Sequence, residues 1–110
     1  MAIETAILVY RGEQAVLNFA MDPSPTPISG WTLMFTVARR ANSTLKLIGP
    51  VACTILNATT GTYRVTLTEE QTDLSPADYF WDVWRTDEGF EQVLGLGTFT
   101  ISADARVPPL

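Results

Sequence analysis

Apolar and polar side chains alternate with a period of two along much of the chain, the pattern of β-strands with one buried face. The clearest example is residues 31–39, in which Trp31, Leu33, Phe35 and Val37 occupy every second position. Such runs are separated by Pro, Gly, Asn and Asp, which favour turns. The predicted strands are residues 4–10, 14–21, 31–39, 45–48, 51–56, 62–68, 79–86 and 90–102.

The pattern contains no long helix, and residues 69–76 can form a single helical turn at most because Pro76 ends it. We therefore predict an all-β fold, an Ig-like β-sandwich of seven to eight mostly antiparallel strands. Two aromatic positions favour this fold. Trp31 begins the third strand, where such sandwiches often have a core tryptophan, and Tyr79 has the position of a tyrosine corner. A small, partly open barrel is the alternative.

The chain length of 110 residues suits one domain. We expect a single Ig-like domain over residues 1–102. Residues 103–110 include Pro108 and Pro109, which cannot donate hydrogen bonds to a sheet, so we expect an extended C-terminal tail there.

The charge balance restricts the partners. Twelve acidic residues oppose seven basic ones, for a net charge of -5. An acidic surface repels phosphate backbones and anionic lipid headgroups, so we expect neither a nucleic-acid nor a membrane partner. The first residues also lack the basic and apolar segments of a signal peptide, which predicts production in a cytoplasm.

The composition argues against a catalytic or metal-binding role. The chain has no histidine and one cysteine, Cys53, so the commonest general base and metal ligand is missing. The acidic residues of the loops have no recognisable calcium-ligand spacing. We predict no catalytic residues, no metal site, no cofactor and no enzymatic activity.

The last predicted hairpin carries the most information. Pairing outward from the turn at residues 87–89 places Trp81 opposite Gly95 and Arg85 opposite Glu91, an ion pair. Alternation then divides the hairpin into two apolar faces. The predicted inward side chains are Tyr79, Trp81, Val83, Val93, Phe99 and Ile101. The predicted outward side chains are Phe80, Asp82, Trp84, Leu94 and Leu96.

A sandwich sheet can point only one face at its own core, so Phe80, Trp84, Leu94 and Leu96 are the predicted protein-interaction residues. Three interpretations of this outward set are open. Another subunit or protein covers these side chains, or the N-terminal segment or the tail of the same chain folds across them, or the predicted register is wrong.

Several segments resemble small Ig-like virion structural proteins of tailed bacteriophages, and are similar to the N-terminal domains of baseplate upper proteins. The resemblance covers residues 14–102. Its motifs are Gly61-Thr-Tyr-Arg-Val-Thr-Leu67, Leu74-Ser-Pro-Ala-Asp-Tyr79, Trp81-Asp-Val-Trp-Arg-Thr-Asp87, Leu96-Gly-Thr-Phe-Thr-Ile101 and Trp31-Thr-Leu-Met-Phe-Thr-Val37. These sequences usually have Gly just before the Tyr, where this chain has Ala77 and Asp78.

The resemblance implies a virion structural protein that forms a homo-oligomer and contacts other virion proteins. Its location would be the virion, as a baseplate or tail-fibre attachment piece or as a capsid decoration. The alternative is a carbohydrate-binding module in which Trp84 and Phe80 stack on a host-surface saccharide.

Overall fold

A computed structural model describes residues 3–21, 26–40, 46–87, 89 and 91–103. These residues form strands and connecting turns, with no helix among them. The predicted tail, residues 103–110, lies outside the described residues except for Ala103. The strands are β1 (Ile3–Glu4), β2 (Ile7–Tyr10), β3 (Ala15–Ala20), β4 (Leu33–Ala38), β5 (Lys46–Ala52), β6 (Thr54–Asn57), β7 (Thr62–Leu67), β8 (Ala77–Arg85) and β9 (Gln92–Ser102).

The strands form two sheets. In the larger sheet β9, β8, β4 and β5 follow one another, and β1 and β2 share the outer edge of β9. The smaller sheet has the order β3-β7-β6. β1 and β2 pair with β9 in parallel, whereas the other neighbouring strands are antiparallel.

This strand order confirms the predicted Ig-like β-sandwich. β4, β8 and β9 correspond to the C, F and G strands of an immunoglobulin domain, and β3, β7 and β6 correspond to B, E and D. β5 extends the sheet beyond the C strand, as in variable-type domains. The predicted tyrosine corner is also present, because the Tyr79 hydroxyl donates a hydrogen bond of 2.6 Å to the carbonyl oxygen of Ser75.

The N-terminal edge is divided into two strands by one core tryptophan. The predicted strand of residues 4–10 is interrupted between β1 and β2, where the carbonyl oxygen of Thr5 accepts a 3.0 Å hydrogen bond from Nε1 of Trp81. The N–H of Thr5 still donates to the carbonyl of Leu96. A buried indole N–H needs an acceptor, and the edge strand supplies one by leaving the regular ladder.

The predicted break at Gly49 and Pro50 is wrong. β5 continues through both residues, which lie in an irregular part of its pairing with β4: Val37 faces Ile48, but Phe35 faces Val51. An edge strand accommodates a proline and a bulge because its outer side has no ladder to maintain.

The register of the β8–β9 hairpin also differs from the prediction. Trp81 lies opposite Gly97 rather than Gly95, and Arg85 lies opposite Gln92 rather than Glu91. The pairing passes from Val83–Gly95 to Trp84–Val93, so the intervening Leu94 is an extra residue in β9. Such a β-bulge cannot be located from strand periodicity, and it moves every side chain between it and the turn to the opposite face.

Aromatic rings from both sheets form the centre of the core. Phe35 of β4 lies 6.0 Å from Trp81 of β8 and 6.3 Å from Phe19 of β3, measured between ring centroids. Phe19 stacks on Tyr63 at 5.4 Å, and Phe99 meets Phe35 edge-on at 6.2 Å. The inward positions predicted for β4, β7 and β8 are therefore correct, and this core is complete within one chain.

Tyr63 and Tyr79 provide a matched test of the core. Both rings are buried, but within the described part of the chain the Tyr63 hydroxyl has no hydrogen-bond partner, whereas the Tyr79 hydroxyl has one. Burial, together with nearby Cys53, raises the pKa of Tyr63. Because an unsatisfied buried hydroxyl costs stability, we expect Tyr63→Phe to leave the free energy of unfolding unchanged or to raise it by about 1 kcal/mol.

In urea denaturation, Tyr79→Phe serves as the comparison, because it breaks a satisfied hydrogen bond and is expected to cost about 1 kcal/mol. Equal losses in the two variants would contradict the difference between the two hydroxyl environments.

Candidate interaction surface

The larger sheet has an outer face, defined as the side chains of β2, β9, β8, β4 and β5 that point away from the smaller sheet. The register places Phe80 between Thr98 of β9 and Ala38 of β4, and Asp82 between Leu96 and Thr36. Five of the most exposed large apolar side chains lie on this face. They are Leu8, Tyr10, Phe80, Val93 and Leu96.

The outward positions predicted for Phe80 and Leu96 agree with the structure, in which 42% and 39% of these residues remain exposed. Trp84 lies on the same face but is half-buried, between Met34 and Val93 in the register.

The outward position predicted for Leu94 is wrong. Leu94 is the bulge residue of β9, and only 3% of it is exposed because the bulge turns it into the core. The same irregularity moves Val93, which the alternation predicts inward, to the outer face, where it is 46% exposed. Val93 therefore replaces Leu94 in the exposed set. Gly95, which follows Leu94, is a sequence signal of a bulge, since glycine in a strand often marks one, but Gly97 in the same strand gives the same signal without a bulge beside it.

A shallow groove of about 160 Å³ crosses the outer face. Thr36 and Ala38 of β4 lie in it, with Phe80 and Asp82 of β8 beside them. Its remaining side chains include Val93 and Leu96 from β9, and Arg40 and Lys46 from the β4–β5 side. The groove is thus apolar toward β9 and cationic toward β5.

One polar pair lies within the groove. The Thr36 hydroxyl donates a hydrogen bond to the Asp82 carboxylate, and Thr36 is 2% exposed although it is on the outer face. Neighbouring side chains therefore already cover the β4 part of this face. The hydrogen bond satisfies a buried hydroxyl and holds the carboxylate against the sheet.

A second cluster lies near the β8–β9 turn. The Arg85 guanidinium stacks over the Trp31 ring, 4.1 Å from its centroid, and binds the Asp87 carboxylate at 2.8 Å. Asp87 also accepts a hydrogen bond of 3.0 Å from the N–H of Thr32. The Arg85 contact, followed by the Thr32 N–H, lowers the pKa of Asp87 below its usual value.

This cluster corrects two predictions. Trp31 precedes β4 rather than beginning it, and it packs against the core only partly buried, with Arg85 over its ring. The fully buried tryptophan of the core is Trp81. Arg85 pairs with Asp87 within the turn rather than with Glu91 across it. The charges of Arg85 and Asp87 are largely satisfied within this cluster, and their contacts with Trp31 and Thr32 connect the turn to the start of β4.

Few of the described side chains could act as a nucleophile or bind a metal ion. Burial raises the pKa of the half-buried Cys53 thiol to about 12, so the thiol is protonated at neutral pH. No group of three or more potential metal ligands occurs within the described ranges. Within the same ranges, no helix has the length and apolarity needed to cross a bilayer.

The strand order, the tyrosine corner and the two apolar faces of the larger sheet define the class of this protein: an Ig-like β-sandwich domain with an exposed apolar surface on its larger sheet. No family model and no curated protein sequence matches the chain.

Two solved structures are similar at low identity. A DUF4784 family protein from Bacteroides caccae ATCC 43185 shares 14% identity, with a TM-score of 0.47 over 97% of this chain and 23% of that chain. The NK cell receptor Nkp44, described as a triggering partner in natural cytotoxicity, shares 15% identity, with a TM-score of 0.47 over 94% of this chain and 99% of the receptor chain. The chain thus spans less than a quarter of the length of the first structure.

Proposed function

We propose that this protein is a non-enzymatic structural component of a tailed-bacteriophage virion, held in place by contacts of its outer face. The observation that carries the contact surface is the exposure of Phe80, Val93 and Leu96 around one groove, opposite a complete core. Fully burying a large apolar side chain gains about 1.5–3 kcal/mol, and these three, each about two-fifths exposed, forgo part of that gain. Clustered apolar side chains of this kind mark interaction sites.

The virion part of the proposal is supported by the resemblance of residues 14–102 to phage virion proteins. A baseplate or tail-fibre attachment piece and a capsid decoration have the same requirement. Each needs a small stable domain that binds an adjacent virion protein through one surface. The domain would act by surface complementarity.

The groove supports a binding role over catalysis. Its titratable side chains are Asp82, Arg40 and Lys46, and Asp82 accepts the hydrogen bond from Thr36. Glycoside hydrolysis normally uses two carboxylates about 5–9.5 Å apart, one of them a proton donor. One carboxylate beside two cations does not provide this pair.

The test replaces the wild-type gene in the encoding phage by one for the Phe80→Ser/Leu96→Ser double variant. We expect the double variant to be depleted at least tenfold from density-gradient-purified particles, measured by quantitative mass spectrometry. The matched control is Val16→Ser/Leu56→Ser, which changes two comparably exposed apolar side chains on the smaller sheet. Circular dichroism establishes that both variants fold.

Absence of the wild-type protein from purified particles would overturn the virion proposal. Equal incorporation of the two double variants would overturn the assignment of the outer face as the contact surface.

A carbohydrate ligand is the second candidate, favoured by the polar Thr36–Asp82 pair beside the exposed Phe80 ring. Aromatic rings next to hydroxyl and carboxylate groups suit a sugar, which has both apolar and polar faces. Titration with host-surface saccharides while recording tryptophan fluorescence distinguishes this candidate. A saturable change that Phe80→Ser abolishes would favour it over the protein contact.

A further inference from the structure

The outer face has an area at the lower end of the range for one half of a protein–protein interface. Its five strands contain 37 residues, each of which covers roughly 3.3 Å along the strand and about 4.8 Å between strands. The resulting area is about 590 Å², so two such faces in contact would bury about 1,200 Å², the lower limit for stable, specific complexes.

Among the described side chains of this face the charges are balanced, unlike those of the whole chain. Its described side chains include two cations, Arg40 and Lys46, and two carboxylates, Asp78 and Asp82. The net charge of the chain is -5, so two copies repel each other over most of their surfaces. The outer face is a place where two copies can approach without adding to that repulsion.

The outer face carries both an exposed aromatic ring and a groove large enough to receive such a ring. A groove of about 160 Å³ is close in size to a cavity of roughly 150 Å³ that accommodates a benzene ring. Phe80 borders the groove and is 42% exposed. An isologous interface requires this property, because the same surface must supply both the inserted group and the site that receives it.

We propose that the occupant of the outer face is a second copy of this chain, packed face to face about a two-fold axis. Each Phe80 ring occupies the groove of the other copy, and Leu96 and Val93 surround it. Arg40, on the β4–β5 side, lies against the carboxylates of the opposing sheet. This inference rests on the proposed function in one respect, since it takes the outer face to be the contact surface.

Sedimentation equilibrium of the full-length chain at about 1–200 µM tests the proposal. The expected result is a concentration-dependent mass that reaches twice the 12.1 kDa of one chain. We expect Phe80→Ser/Leu96→Ser to raise the dimer dissociation constant at least tenfold. The control Val16→Ser/Leu56→Ser is expected to change it less than twofold.

Two results would overturn the inference. One is a mass of 12.1 kDa at every concentration, and the other is a dimer that both double variants weaken equally. A monomer that is nevertheless incorporated into particles through Phe80 and Leu96 would remove the second copy as occupant and leave the proposed function in place. If the wild-type chain dimerises through this face but is absent from purified particles, the inference is supported and the proposed virion function is overturned.

Discussion

Phe35→Ala is expected to lower the free energy of unfolding by about 3–5 kcal/mol, the cost of removing a large aromatic side chain from a packed core. Phe35 is fully buried and its ring contacts Phe19, Trp81 and Phe99. Domains of this size are typically stable by about 5–15 kcal/mol, so the variant would lose a large part of its stability. Urea denaturation followed by tryptophan fluorescence measures the loss.

The same substitution at Phe80 is the control. Phe80 is on the same sheet but points outward, so Phe80→Ala is expected to cost less than about 1 kcal/mol. Both variants are compared at a protein concentration well below the dimer dissociation constant, because a dimer contact through Phe80 would itself add to the apparent stability. Under that condition, comparable losses at the two positions would show that the outer face contributes to folding of the single domain, and would contradict its assignment as a contact surface.

Gly97→Ala is expected to cost about 3 kcal/mol or more, although it adds one methyl group. A Cβ at position 97 would overlap the carbonyl oxygen of Thr5 and lie 3.1 Å from Nε1 of Trp81. Backbone atoms cannot move aside cheaply, so the edge strands would separate from β9 and the hydrogen bond between Trp81 and Thr5 would break. Thermal unfolding, with hydrogen exchange of the β2 amides, follows both effects.

Gly30→Ala separates this clash from backbone strain. Gly30 has a φ of +80°, but an added Cβ would have no atom within 4 Å. Its cost is expected to be about 1–2 kcal/mol, the penalty of the left-handed conformation for other residues. A loss at position 97 no greater than that at position 30 would contradict the tight contact between Gly97 and the N-terminal edge.

Phe35 and Gly97 both support the packing on the inner side of the larger sheet. Phe35 and Trp81 fill the core on the inner side, and Gly97 allows the N-terminal edge to supply the acceptor that Trp81 needs. The outer side chains are not required for this packing. Their exposure is therefore the physical basis of both proposals, because water-exposed apolar area gains free energy when another surface covers it.

The sequence by itself determined most of the strands, the sandwich and the two-faced character of the last hairpin. Alternation is a local property of the extended backbone, so β4 and β7 agree with the prediction to within two residues at each end. The tyrosine corner was likewise predictable, because Tyr79 and its acceptor Ser75 are only four residues apart.

Only the tertiary structure decided which apolar side chains of β9 face outward. Leu94 and Val93 have nearly the same hydrophobicity, and their faces depend on one extra residue in the pairing with β8. The division of the N-terminal edge at Thr5 depends on a contact with Trp81, 76 residues away. Register and long-range hydrogen bonds reflect the packing of the whole sandwich, and a one-residue shift reverses the face of every side chain beyond it.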